Sequence, residues 1–361
     1  MKVYLQQHPH GMYRDLIKYP PVEYLVIGEK TIDKIIRLIS YPRVAAIYYR
    51  NVPKNVLIHT HQTLIKNRQP WVCDHSHAIL FIHSRDYWKI RDERYRKSAE
   101  KYLNSRYCKK IMATSYAANN TIKDFYRVED KSKLEVVYPA IHKERIERKK
   151  NEIKNIFFVS SPGIDKFYRK GGKYVLNAFY RLREKYPQLK LNFLGQVPQN
   201  YRRKFDENIN YLGPIYNEKK IFDFYKEQDL LWFPTLMDIF GYVLLEAMSC
   251  EVPIITTDGF ARNEIITHGE TGFLIKLPAN FKRRVDRFEF RNYNEFVEYV
   301  KNINFEFIVE DLIKYTERLI ENTKEYRRIQ KKQRREIISG KFSIKERNKK
   351  LKRIYEEAIK G

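Results

Sequence analysis

From residue 3 to about residue 140, short apolar runs alternate with polar, helix-compatible stretches, the rhythm of a parallel sheet covered by helices. The runs predict strands at 3–6, 23–28, 44–49, 56–59, 71–74, 110–114 and 134–138. Tyr24-Leu25-Val26-Ile27 is unbroken, as expected for a strand buried on both faces. A charged stretch at 142–154, HKERIERKKNEIK, then interrupts the pattern and reads as a connection between domains. Beyond it the rhythm restarts, with strands expected at 156–160, 190–194, 209–212, 230–233, 253–256 and 272–275. Helices are expected at 172–185, 218–227, 241–249 and 261–268, and helical text resumes at 292 and runs to the C-terminus. The expected architecture is α/β, with doubly wound domains at 1–145 and 146–340 and a last helix within 341–361.

Composition agrees with two domains. The 361 residues are 43% hydrophobic, enough to build two cores and to exclude disorder as the main state. Charge adds a constraint: 70 Lys and Arg against 44 Asp and Glu leave +26. That surplus draws polyanions, whether nucleic acid, anionic lipid or phosphorylated small molecules. Cys73, Cys108 and Cys250 are odd in number and far apart, which argues for a reducing compartment and against a disulfide framework. No long apolar run follows Lys2, so no secretory signal is expected, and nowhere do about 18 apolar residues run together. A cytoplasmic location is expected, with peripheral attachment to the inner membrane face as its membrane-associated form.

In open parallel sheets, ligands bind beyond the carboxyl ends of the strands, where loops diverge and helix N-termini present free amides. After 230–233 comes PTLMDIFGYVLLEAMSCEVPIITTD. Asp238 at the loop mouth, Gly241 for close backbone approach and the helix amides behind it suit a diphosphate that carries a sugar. The amides would hold phosphate. The carboxylates of Asp238 and Glu246, repelled by phosphate, would accept hydrogen bonds from sugar and ribose hydroxyls respectively.

The stretch from Phe233 to Ile275 resembles the signature of retaining glycosyltransferases of family 4. Asp238, seven residues and Glu246 are followed by Ala247-Met248 and Pro253-Ile254-Ile255-Thr256. Asn263-Glu264-Ile265 and Gly269-Glu270-Thr271-Gly272-Phe273-Leu274 continue the match. The text FFVSSPGIDKFYRKGGKYVLNAFYRLREKYPQLKLNFLG is similar to the family's strand, Arg-Lys-Gly loop, helix and second strand. Residues 113–142 and the C-terminal FSIKERNKKLKRIYEEA also resemble family text. Asp238 replaces the more usual Glu, and Ser160 and Ser161 stand where an arginine is usual.

The resemblance implies a GT-B fold, two facing Rossmann-like domains with a C-terminal helix crossing back to the first. It implies transfer of a hexose-type sugar from a nucleotide-diphosphate donor, such as a UDP- or GDP-sugar, to a hydroxyl of a glycan or lipid-linked acceptor. Configuration would be kept, the leaving phosphate would help deprotonate the acceptor, and no metal or other cofactor is expected. Asp238 and His77 would hold the sugar, Lys170, Arg169 and the Gly241 amides the diphosphate, and Phe240 would also bind the donor. Glu246 would hold the ribose, with backbone around Gly195 and Gly213 on the base.

Two features lie outside the matching text. Three His-x-His pairs, His8/His10, His59/His61 and His75/His77, each follow a predicted strand and should share one sheet edge; substrate contact by one of them is expected rather than a metal site. The segment 85–110 mixes Tyr87, Trp88, Tyr95 and Tyr102 with Arg and Lys. It reads either as a solvated helical face or as an anchor at an anionic bilayer surface. Two rival functions remain beside the enzyme. One is a basic nucleic-acid-binding protein, although no familiar module is legible. The other is an inactive GT-B homologue, suggested by the changes at 238 and 160–161.

Overall fold

The computed structural model describes residues 1–8, 11–28, 42–144, 152–202 and 207–360. His10 and the 145–151 part of the expected connection lie outside the described residues. The chain divides into two compact units: unit 1 is Met1–Ile141 with Ser339–Gly361, and unit 2 is His142–Ile338.

The main sheet of unit 1 is built from β1 (Lys2–Gln6), β2 (Glu23–Ile27), β4 (Leu57–His61), β6 (Trp71–His75), β7 (Cys108–Ala113) and β8 (Leu134–Val136). Its order is β2-β1-β4-β6-β7-β8, with every pairing parallel. The run predicted at 44–49 contributes only β3 (Ala46–Ile47), which pairs with β5 (Leu64–Ile65) in a separate two-stranded sheet. Expectation also fails at β2. Among the described residues β1 is its one partner, so it is an edge strand, and Val26 is 48% exposed on a face that the described residues leave uncovered.

Helix Ile344–Lys360 closes the core of unit 1. Leu351, Ile354, Tyr355 and Ala358 fall at i, i+3, i+4 and i+7, one face, and pack on Val3, Leu5, Leu57, Val72 and Met112.

The segment 85–110 forms a 3-10 turn at Ser84–Lys89, helix Glu93–Leu103 and the start of β7. Asp92 caps the helix by accepting from the Arg94 amide. Tyr95, Ala99 and Leu103 are fully buried at i, i+4 and i+8, so Tyr95 belongs to the core and cannot anchor a bilayer. Arg94 pairs with Asp92 and Lys97 with Glu93, which offsets part of the charge that segment would offer a membrane. No described helix is long and apolar enough to cross a membrane.

Unit 2 carries β9 (Asn155–Val159), β10 (Lys190–Leu194), β11 (Ile209–Leu212), β12 (Leu230–Phe233), β13 (Ile254–Thr257) and β14 (Phe273–Ile275). The order is β11-β10-β9-β12-β13-β14, again all parallel, so the winding reverses between β9 and β12. Phe157, Phe158, Leu191, Leu231, Ile254 and Ile255 fill the strand faces as fully buried residues. Trp232 is fully buried too, and its indole N–H donates to Thr316 Oγ1 at 3.0 Å on helix Glu306–Glu321, so its polar atom is satisfied inside the core.

Candidate functional site

The reversal point of unit 2 brings two loops together. The loop after β9 passes through Ser160 and Ser161 into helix Ile164–Arg169, then Lys170 and Gly171, which begins helix Gly172–Lys185. Gly171 has φ of +80°, and a Cβ there would lie 2.2 Å from the Pro234 carbonyl oxygen, so backbone meets backbone. Leu236 N–H donates to the Arg169 carbonyl at 2.9 Å and locks the loop after β12 onto it.

This packing sets Lys170 Nζ on the Asp238 carboxylate, although the two lie 68 residues apart in the chain. Lys170 is only 7% exposed, and burial pulls its ammonium down to about 8 against the opposing pull of Asp238. Burial pushes the Asp238 carboxyl up, but Lys170 first, then Arg262 and Arg169, outweigh it and hold it below its ordinary value. The second oxygen of Asp238 accepts from Gly241 N–H at 2.9 Å. Gly241, with φ of +80°, opens helix Tyr242–Ser249, whose amides point at the loop mouth.

A residue that sequence reading missed supports the loop from beneath. Arg262 is completely buried and donates to the Asp238 backbone carbonyl at 3.0 Å and the Thr257 carbonyl at 2.7 Å. Burial pulls its guanidinium down to about 10. The matching text starts one residue later, at Asn263, so no motif marked Arg262. Its place on the short helix Arg262–Ile265, next to β13, is what turns it inward.

Arg169 Nε and Ser160 Oγ are buried and have no hydrogen-bond partner among the described residues. A Cβ on Gly195 would lie 2.2 Å from that Ser160 oxygen, so Gly195 lets the loops after β9 and β10 close together. Gly213 is exposed, with nothing within 4 Å of a Cβ. Phe240 is buried, and Glu246 accepts from Tyr225 OH at 3.2 Å. Lys170, Arg169, Asp238 and Gly241 therefore gather at the loops after β9 and β12, while Gly195 and Gly213 lie on the loops after β10 and β11 and Glu246 lies within helix Tyr242–Ser249.

Unit 1 holds a different polar cluster. His59 and His61 lie inside β4 rather than after it, in register with Val72 and Asp74 of β6. His59 Nε2 is 3.0 Å from Asp74 Oδ2, while His61 Nδ1 and Tyr13 OH contact Asp74 Oδ1. Burial pushes the Asp74 carboxyl up, but His61 and His59 overcome this and hold it well below the usual carboxylate range. Tyr355 OH lies 2.7 Å from His59 Nδ1, and Tyr24 OH 2.7 Å from Tyr355 OH.

His77 is fully buried and caps the 3-10 helix Ala78–Phe81, its Nδ1 accepting from Ile79 N–H at 3.1 Å. His75 is buried with both ring nitrogens unpartnered among the described residues, and burial pulls it down to about 3, so it stays neutral. A cleft of about 490 Å³ opens where the first sheet reverses, between β1 and β4; Gln6, His8, His61, Thr63, His83 and Tyr87 are among its walls. Among the described residues, no group of three or more His, Cys, Asp or Glu side chains is arranged to hold a metal ion.

Residues 153–288 match the family model Glycosyl transferases group 1. The chain is 33% identical over 158 residues to an uncharacterized 41.2 kDa protein in the cps region of Klebsiella pneumoniae, covering 40% of this chain and 42% of that one. It is 36% identical over 66 residues to the capsular polysaccharide biosynthesis glycosyltransferase CapM of Staphylococcus aureus, covering 18% and 17%. These matches span less than half the length of either relative. Among solved structures, Anabaena Alr3699/HepE in complex with UDP and glucose superposes with a TM-score of 0.59 at 14% identity, covering 98% of both chains. A glycosyltransferase from Rickettsia africae ESF-5 gives 0.57 at 15% identity, over 100% of this chain and 99% of that one. The protein thus has the GT-B fold of two Rossmann-like domains, and residues 153–288 of its second unit are similar to the Glycosyl transferases group 1 family.

Proposed function

We propose that this protein is a retaining glycosyltransferase that moves a hexose-type sugar from a nucleotide-diphosphate donor to a hydroxyl of a glycan or lipid-linked acceptor. The observation that carries this reading is the buried Lys170–Asp238 pair at the reversal point of unit 2, beside the helix start at Gly241. A diphosphate entering there replaces Asp238 as the partner of Lys170. The released carboxylate then turns to the sugar hydroxyls. Arg169, whose Nε has no partner among the described residues, and the amides at 241 and beyond share the charge that builds on the leaving group, so the proposal includes no metal. Glu246 takes the ribose, Phe240, Gly195 and Gly213 line the nucleotide's place, and His77 contacts the sugar from unit 1. The binding of UDP and of UDP-glucose by the Anabaena neighbour supports a donor of this class, and UDP-glucose is the first to try.

The surplus of +26 leaves an anionic membrane face as a further expected partner and a cytoplasmic, peripheral location as the expected one. Nucleic acid is the alternative that the charge also fits.

A thermal-shift panel of UDP- and GDP-sugars tests the donor directly, because a ligand at one hundred times its Kd adds about 2.7 kcal/mol to stability. One or more donors should raise Tm, and free nucleoside diphosphate should appear on incubation with an acceptor mixture. No shift and no release across the panel, together with salt-sensitive DNA binding, would overturn the reading in favour of nucleic acid.

A further inference from the structure

A series of contacts within unit 2 pins the loop after β12 onto its neighbours. From β13, Thr256 Oγ1 donates to the Phe233 carbonyl at 2.7 Å and Thr257 Oγ1 to the Thr235 carbonyl at 2.5 Å. Leu236 N–H donates to the Arg169 carbonyl, and Arg262 Nη1 then reaches the carbonyl of Asp238. The first three contacts are neutral. The fourth brings a full positive charge beneath the residue that carries the carboxylate.

Holding a backbone carbonyl does not require a charge, and burying a guanidinium is costly unless carboxylates balance it. Arg262 feels three of them: Asp238, Asp286 on helix Ala279–Asp286, and Asp258 just after β13. Asp258 is held elsewhere, because Lys282 Nζ lies 2.5 Å from its Oδ2 and Leu277 N–H donates to its Oδ1 at 2.6 Å. Of the three, Asp238 acts on the guanidinium most strongly. Gly259 leaves the group its space, since a Cβ there would lie 2.7 Å from Nη2. Asp238 in turn faces Lys170 and Arg169 from the loop after β9, and Arg262 from the end of β13.

We propose that Arg262 is a positioning residue for the transfer: it fixes the backbone of Asp238 and stays as its counter-charge when Lys170 turns to the donor diphosphate. The inference rests on the glycosyl-transfer reading above and deepens it. Without a cation behind it, a carboxylate in this buried loop would take up a proton once Lys170 left, and would lose acceptor capacity for the sugar hydroxyls. With Arg262 in place, Asp238 stays ionised on a fixed backbone.

Two measurements on the full chain test this. The first needs no ligand, because Lys170→Met mimics the departure of the lysine. The 13C signal of the Asp238 carboxyl, identified by its loss in Asp238→Asn, is titrated in that protein with and without Arg262→Gln. Loss of Arg262 should raise its titration by at least about one pH unit, and equal titrations would overturn the proposal. The second is UDP release from UDP-glucose with an acceptor mixture. Arg262→Gln, which keeps an N–H donor but no charge, should be slower by at least about tenfold, with UDP affinity within about threefold as proof of folding. Arg262→Lys, which keeps the charge, should recover most of the rate. Full activity of Arg262→Gln, or a folded Arg262→Lys as slow as Arg262→Gln, would overturn the proposal. Should Arg262→Gln not fold, the same carboxyl is titrated in unsubstituted protein saturated with UDP. A carboxyl still ionised at about pH 6 supports the proposal, and one that is protonated there overturns it. A chain that releases nothing from any nucleotide sugar counts against the glycosyl-transfer reading, while the titration in Lys170→Met still decides whether Arg262 is the counter-charge.

Discussion

Lys170→Met should cut turnover of the nucleotide sugar by about a hundredfold or more, a loss of about 2.7 kcal/mol or more of transition-state stabilisation. Two effects combine in this substitution. The cation that meets the departing diphosphate is gone, and Asp238 keeps its charge at the loop mouth with its nearest counter-charge removed. The free protein's Lys170 sits near 8, so kcat/KM should fall as pH rises through about 8, where the ammonium loses its proton. Lys170→Arg, which stays charged, should retain part of the rate and lose that alkaline limb. A pH series on the three proteins checks both points, and unchanged turnover of folded Lys170→Met would remove the role assigned to Lys170.

Gly171→Ala should destabilise the protein by about 2 kcal/mol or more and impair donor binding at the same time. The left-handed backbone at 171 already disfavours alanine, by about 1 kcal/mol. The new methyl group would sit 2.2 Å from a backbone oxygen rather than from a yielding side chain, so one of the two loops must move. Either movement separates Lys170 from Asp238. Gly213→Ala is the control, since nothing lies within 4 Å of its Cβ, and it should leave Tm nearly unchanged. Equal Tm values for the two variants would show that the close approach at Pro234 does not constrain the loop.

Much of unit 2 was legible because local signals agreed with tertiary ones. Helix 172–185 begins after Gly171 and ends before Pro187, and helix 218–227 begins at an Asn217 cap that accepts from the Lys220 amide. The apolar run 230–233 is buried throughout, as a central strand should be. Unit 1 was less legible because its determinants are distant pairs. The apolar pattern ends near residue 59, yet β4 continues through His61. Its backbone there is held by Gln6, and both histidine rings find Asp74 on the neighbouring strand. Asp74 itself carried no motif. Tyr95 read as an interfacial aromatic because a mixed stretch of Tyr, Arg and Lys does not reveal which helical face is covered. Arg262 was invisible for the opposite reason: in a chain with 70 basic residues, nothing local distinguishes a residue whose charge is enclosed.

Unit 1 is discontinuous, since helix Ile344–Lys360 follows unit 2 in the chain but packs against β1 and β4. During synthesis, Val3, Leu5 and Leu57 leave the ribosome long before the residues that cover them, whereas unit 2 is one uninterrupted stretch. Unit 2 is therefore free to fold on emergence, while the nascent first sheet waits with an uncovered face, the stage at which a chain most needs a holding chaperone. Tyr355 arrives with the covering helix, so the partner of His59 Nδ1 reaches it only after unit 2 has been made. Assembly order thus delays completion of the Asp74 network until all of unit 2 has been translated.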